Sequence, residues 1–263
     1  MSDGGAGYIF EATANSSELE RLQALEAIFD PATRELLASA LELGGRRVLE
    51  VGAGAGSIAR WLGEQVGAAG QVVALDTNVR FLSELSGVEV IEGSVTAVEL
   101  PPFDLVHARY VAVHNADPGA FLEALVRLVA PGGLLVLEEP DFRWSRALAG
   151  PTYLRESFDR VHRAVVEMFT RRGMDPGIGS GLGSALGPSL ELQTLQLSPH
   201  VERGGSALSQ MMWLSTRALA EKYTETGCAD ESDIAHYEAF SHSPECWGLY
   251  YATGSLVGRR RAS

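Results

Sequence analysis

The residues with the clearest chemical meaning lie between positions 50 and 76. Glu50 stands two residues before Gly52-Ala53-Gly54-Ala55-Gly56, and Asp76 closes the apolar run "VVAL". Glycines at a strand-to-helix turn permit positive φ and let a ligand approach the backbone. A triphosphate loop needs Gly-Lys-Ser/Thr, whereas Gly56-Ser57 is followed by Ile58. A dinucleotide turn needs G-x-G-x-x-G, but Ser57 and Ala59 stand where the third glycine would fall in the two registers. Glu50 would oppose a pyrophosphate. It suits a ligand that carries a cationic group.

Around these residues the apolar pattern alternates. Short β-branched runs at 48–51, 72–75, 88–91, 105–106 and 134–137 read as strands; 57–66, 78–85 and 118–129 read as helices between them. Strands that are apolar throughout, with helical crossovers, predict a parallel sheet covered on both faces. Upstream, "SELERLQALEAIF" has helical spacing, and Asp30-Pro31 reads as the cap and first residue of a second helix ending at Gly44-Gly45. Downstream, "PTYLRESFDRVHRAVVEMFTRRG" reads as a helix, "MDPGIGSGLG" as a glycine-rich loop and "SALGPSLEL" as a short helix. "LELQTLQLSPHVERGG" alternates like a strand, two more helical stretches follow, and "CWGLYYATGSLVGRR" reads as the last strand. The expected fold is α/β: a Rossmann-like, doubly wound, mostly parallel seven-stranded sheet. Residues 1–43 are expected to form an N-terminal helical segment, 44–141 the α/β core, and 142–263 helical cover insertions with the last strands.

With 263 residues, 46% of them hydrophobic, the chain has material for one elaborated domain or two small ones. A formal net charge of −13 disfavours nucleic acid and anionic lipid as partners. No apolar run is long enough to cross a bilayer. The first residues lack a basic region followed by an apolar one, so cytoplasmic is the expected location. Cys228 and Cys246 have no zinc-like spacing and read as reduced thiols. No metal-ligating constellation stands out, and no clear oligomeric signal is present, leaving a homo-oligomer open.

On these residues the chain resembles the class I S-adenosylmethionine-dependent methyltransferases. "LEVGAGAG" looks like their first motif, and "LVRLVAPGGLLVLEEPD" like their helix, Pro-Gly-Gly turn and fifth strand. The resemblance implies S-adenosyl-L-methionine as cofactor. Gly52, Gly54 and Gly56 would run under its methionine and ribose parts, and Glu50 would hold the ammonium end. Asp76 would accept from both ribose hydroxyls, with Thr77 beside the adenosine. Where the family often has Gly-Asp after the third strand, this chain has Ser94, with Val95 expected against the adenine ring. The segment "FDLVHARYVAVHNADP" resembles the part that lines cofactor and acceptor, placing Ala108 and Arg109 against the cofactor. Tyr8 and "ELERL" resemble the N-terminal features of bacterial methyltransferases acting on small metabolites, so Tyr8 and Arg21 are expected to fold over the cofactor, Arg21 meeting its carboxylate.

Methyl transfer is an in-line displacement, so holding the nucleophile, methyl and sulfur in line in a dry pocket supplies much of the catalysis. A base is needed only when the acceptor must lose a proton. Ligands of open parallel sheets sit beyond the carboxyl ends of the strands. This makes Arg109, Tyr110, His114, Glu139 and Asp141 acceptor-side candidates, with His114 the first choice of base because imidazole titrates near neutrality. His107 lies within a strand and reads as a satisfied core histidine; His162 and His236 sit on inserted helices, where they could line the cover. Tyr153, Phe158, Phe169, Met211, Met212, Trp213 and Tyr223 would suit a bulky, partly apolar small-molecule acceptor, or form the core of a helical layer. The leading expectation is transfer of a methyl group to an O, N or C nucleophile in specialised metabolism. The alternative is a cofactor-binding scaffold or cyclase that transfers no methyl. A protein or RNA methyltransferase and a nicotinamide oxidoreductase rank lower.

Overall fold

The computed structural model describes residues 9–10, 15–82 and 85–261; Tyr8 lies outside the described residues. The chain runs α1 (Asn15–Ala40), β1 (Arg47–Val51), α2 (Ser57–Val66), β2 (Gln71–Asp76), β3 (Val88–Glu92), β4 (Phe103–Arg109), α3 (Pro118–Leu128) and β5 (Val129–Asp141). It continues with β6 (Arg146–Ala149), α4 (Thr152–Arg171), α5 (Ile178–Leu186), β7 (Leu190–Arg203), α6 (Ala207–Ala218), α7 (Ala220–Thr224), α8 (Glu231–His242) and β8 (Trp247–Arg260).

One sheet in the order β3-β2-β1-β4-β5-β8-β6 organises the molecule, with β7 also paired to β8. The first five strands are parallel, and β8 runs antiparallel to β5, β6 and β7. Beyond the seven expected strands is the four-residue β6. It takes over the β5 side of β8 where β5 has turned away, pairing at Trp247–Leu249 while β5 pairs from Ala252 onward.

Strand alternation divides the interior. Val48, Val72, Leu105, Leu134 and Val136 pack with Leu37 of α1 and Ile58 and Leu62 of α2. Leu49, Val51, Val106, Leu135 and Leu137 belong to the larger core that takes in α3 and the helices after β5. These helices hold the aromatic and methionine residues of the expected cover. Phe158, Phe169, Met211, Met212, Trp213 and Tyr223 are buried there as core, while Tyr153 is 56% exposed.

Three local expectations are corrected. Residues before and after Asp30-Pro31 form one helix, α1, with Pro31 inside it. Asp30 does not cap it; its carboxylate accepts from Arg109 at 2.8 Å and Arg34 at 3.1 Å. The described residues of 78–85 form no helix. The Asp76 side chain accepts the Asn78 N–H at 2.9 Å and the Asn78 side chain accepts the Arg80 N–H at 3.3 Å. Such local side-chain bonds compete with the helical ladder. The "GIGSGLG" stretch lies in and around α5 and is not a loop. There glycine serves close approach: a Cβ on Gly179 would lie 2.3 Å from the carbonyl oxygen of Glu139. The sheet supplies the packing that outweighs the poor helix propensity of glycine.

Candidate active site

The glycine turn joins β1 to α2. Gly52, Gly54 and Gly56 all have positive φ, at 70°, 59° and 89°. Gly52 is also required by packing, since a Cβ there would lie 2.2 Å from Val111 Cγ2. The turn is pinned to β2: the Gly54 N–H donates to Asp76 Oδ2 at 2.9 Å, while Asp76 Oδ1 takes the Asn78 N–H. The Thr77 N–H also bonds this carboxylate, which as an acceptor-only group still has capacity for a further donor. Burial raises the Asp76 pKa, against the pull of these N–H groups.

A cavity of about 510 Å³ opens at the carboxyl ends of β1, β2 and β4. Its walls bring together Arg21, Glu50, Gly52, Gly54, Asp76, Thr77, Ser94, Val95, Arg109 and His114 from the sequence-expected set. Gly56 and Ala108 are not among its lining residues; Gly56 starts α2, and Ala108 is fully buried in the core. The Ser94 hydroxyl pairs with Thr96 Oγ1 at 2.8 Å. Arg21 is buried, makes a two-pronged ion pair with Glu18 (3.0 and 2.8 Å) and lies 4.0 Å over the Phe10 ring.

Behind the cavity is a run of buried polar groups on the α1 side of the sheet. Glu50 Oε2 lies 2.6 Å from His107 Nδ1, and His107 Nε2 lies 3.5 Å from Glu138 Oε2. Thr33 donates to Glu138 at 2.6 Å and accepts from Arg109 at 2.7 Å. Burial would lower the His107 pKa, but the two carboxylates outweigh it and bring it to about 9. Burial likewise pushes Glu138 up, and His107, Thr33 and Arg109 reverse this, holding it below its ordinary value. His107 is thus a core histidine tied directly to the acid at the glycine turn.

The acceptor-side candidates separate by role. His114 lines the cavity, with its ring 5.8 Å from that of Phe169. Enclosure, reinforced by Arg21, pushes its pKa down to about 3, so the near-neutral titration expected from residue type is absent. Glu139 faces inward and its carboxylate accepts the N–H groups of Val111, Ala112 and Val113 at 3.0, 2.7 and 3.1 Å. Asp141 is buried and grips Arg143 through both oxygens. The Arg109 guanidinium is committed to Asp30 and Thr33, and the Tyr110 hydroxyl to Thr253 at 2.6 Å. His162 meets Tyr237 and His236 meets Ser157, both away from the cavity walls.

Sequence reasoning missed most of the α1 wall: Glu18, Leu22, Leu25 and Glu26. Glu26 accepts the Ser57 N–H at 3.2 Å, joining α1 to the start of α2. The available signal was acidic residues placed beside the apolar stripe of α1. Arg80, Phe81, Asn115 and Phe121 also line the cavity and carried no motif.

A parallel sheet with a glycine turn after β1, an acid ending β2 and an antiparallel β8 defines a Rossmann-like cofactor-binding class. Residues 20–174 match the family described as a methyltransferase domain, more than half of the chain. The chain is 31% identical over 124 residues to a ubiquinone biosynthesis O-methyltransferase of Bradyrhizobium diazoefficiens, covering 43% of this chain and 48% of that one. It is 30% identical over 185 residues to methyltransferase str2 of Strobilurus tenacellus, covering 64% of each. It spans about half the length of the ubiquinone-pathway relative. The fold is shared with the YcgJ protein of Bacillus subtilis at a TM-score of 0.57 and 16% identity, covering 87% of this chain and 97% of that one. The chain belongs to the class I S-adenosylmethionine-dependent methyltransferases. The donor set fits that cofactor: two carboxylates, Glu50 and Asp76, suit an ammonium and a ribose diol.

Proposed function

We propose that the chain transfers the methyl group of S-adenosylmethionine to an O, N or C nucleophile of a small, partly apolar molecule, in specialised metabolism. The observation that carries this reading is the cavity itself. At about 510 Å³ it is of small-molecule size and brings Asp76, Glu50 and His114 into one lining. When bound, the cofactor supplies a methyl group already activated on a sulfonium. The protein's work is then to position and to exclude water.

In this reading Asp76 holds the ribose, Glu50 the ammonium, and Thr77, Ser94 and Val95 the adenosine end. Arg21, at the α1 wall, meets the cofactor carboxylate, and Arg109 anchors α1 beside it. His114 faces the acceptor. With its pKa pushed down to about 3 it is neutral at pH 7 and a weak base. Its part is to accept a hydrogen bond from the acceptor's O–H or N–H and aim that atom. Leu22, Leu25 and Phe121 supply apolar wall.

The test is calorimetry with S-adenosylhomocysteine on the full chain and on Asp76→Ala. Two charge-assisted hydrogen bonds at about 1.5–3 kcal/mol each predict at least about 100-fold weaker binding in the variant. Labelled-methyl transfer into a small-metabolite extract then identifies the acceptor. Binding of the cofactor with no transfer into any fraction would replace this reading with that of a scaffold or cyclase.

A further inference from the structure

We propose that Glu139 is a positioning residue: by gripping the backbone of residues 111–113 it fixes the segment that runs from the Val111 contact with the glycine turn to His114. This inference rests on the methyltransferase reading of the cavity. It adds a role for a residue that does not line it.

The segment needs holding. Tyr110 has φ 58°, the left-handed region that side chains with a Cβ rarely occupy. Such a conformation is strained and persists only where its surroundings impose it. Immediately after it, three consecutive N–H groups converge on one carboxylate. The Tyr110 N–H donates to the Glu138 carbonyl at 2.8 Å, and Asn115 Nδ2 donates to the Val111 carbonyl at 2.8 Å. Charge-assisted bonds are the strongest of this set.

The segment also matters to the cavity at both ends. The Val111 side chain occupies the space that a side chain at Gly52 would need, so its position shapes the glycine turn. Three residues later His114 forms part of the wall. Moving the backbone of 111–113 would therefore shift the cofactor side and the acceptor side together.

Glu139 is fully buried, and burial pushes its pKa up to about 7 while the three N–H groups pull it down. Its charged neighbour is Glu138, on the same strand, which opposes its ionisation. From β8 it is paired with Gly254, and from α5 it meets Gly179, neither of which titrates. From the gripped segment it accepts three peptide N–H groups, and the side chains of Val111, Ala112 and Val113 do not titrate. The grip is thus a buried charge held by dipoles, where removing the charge also removes a burial cost.

Glu139→Gln in the full chain separates positioning from general support. Three measurements are needed: the melting temperature, the S-adenosylhomocysteine Kd by calorimetry, and amide exchange of residues 111–113, with β1 and β2 as internal reference. The expected result is an unchanged or higher melting temperature, a Kd raised about tenfold by loss of a charge-assisted bond, and faster exchange confined to 111–113. A second arm needs no variant: after correction for intrinsic rates, protection of 111–113 in the unaltered protein should be greater at about pH 8.5 than at about pH 5, where the carboxyl holds its proton. Unchanged exchange in both arms, or a loss of protection across the whole molecule with a lowered melting temperature, would overturn the proposal. Failure of the unaltered chain to bind S-adenosylhomocysteine would instead remove the functional reading. The exchange arms would still decide whether Glu139 grips the segment.

Discussion

Glu138 and Glu139 are adjacent on β5, both are buried, and their carboxyls are displaced in opposite directions. The strand points Glu138 toward α1 and Glu139 toward the segment after β4. On the α1 side the partners are His107, Thr33 and, through Thr33, Arg109. On the other side they are three peptide N–H groups. Cations and a hydroxyl reverse the effect of burial for Glu138; peptide dipoles offset only part of it for Glu139. Burial alone therefore does not set the charge of a carboxyl, and the chemical type of the partner decides. One side of the sheet fastens α1 with charge pairs, while the other holds a strained backbone with a single carboxylate.

The largest test of this contrast breaks the cation side. Arg109→Met leaves Asp30 buried with Arg34 as its remaining charged partner, and Arg34 is itself substantially exposed. Urea unfolding should show a loss of about 3–5 kcal/mol, as when one partner of a buried pair is removed. A loss below about 1 kcal/mol would mean that the network adds little to stability.

A smaller effect is expected from pressing on the amide side. Gly179→Ala places a Cβ 2.3 Å from the Glu139 carbonyl oxygen, so α5 must move away from the sheet. Overpacking of this kind costs about 1–3 kcal/mol. Faster amide exchange in 111–113 alongside that loss would show that the grip depends on where β5 sits. A variant as stable as the parent would show instead that α5 gives way freely.

The finest test is pH. The His107 pKa is raised to about 9 in the folded protein, against about 6.5 when unfolded. Its protonation stabilises the fold fully below about pH 6.5, and that contribution is lost as pH rises through about 9. Melting temperatures should fall across this interval, and His107→Asn should flatten the slope. An equal slope in the variant would place the titration elsewhere.

How far the chain could be read followed the range of the interactions. The turn at 52–56, the strand before it and α2 after it rest on glycine spacing and local periodicity, and α2 occupies the expected 57–66. The fate of Pro31 was not legible, because what keeps Asp30 from capping a helix is Arg109, on another strand. The glycines around α5 looked like a loop because their purpose, close approach to β5 and β8, involves residues far along the chain. The α1 wall of the cavity was missed for the same reason, since Glu26 finds Ser57; so was the polar run behind it, where Thr33 finds Glu138.

From the order of its residues alone this chain declares a parallel α/β sheet and a ligand without phosphate at its glycine turn. Both follow from periodicity, backbone freedom at glycine and the sign of one charge. The tertiary structure decided which carboxyl meets a cation, which meets peptide N–H groups and which is left facing the cavity. These outcomes depend on distances between elements far apart in the chain, and only packing sets those distances.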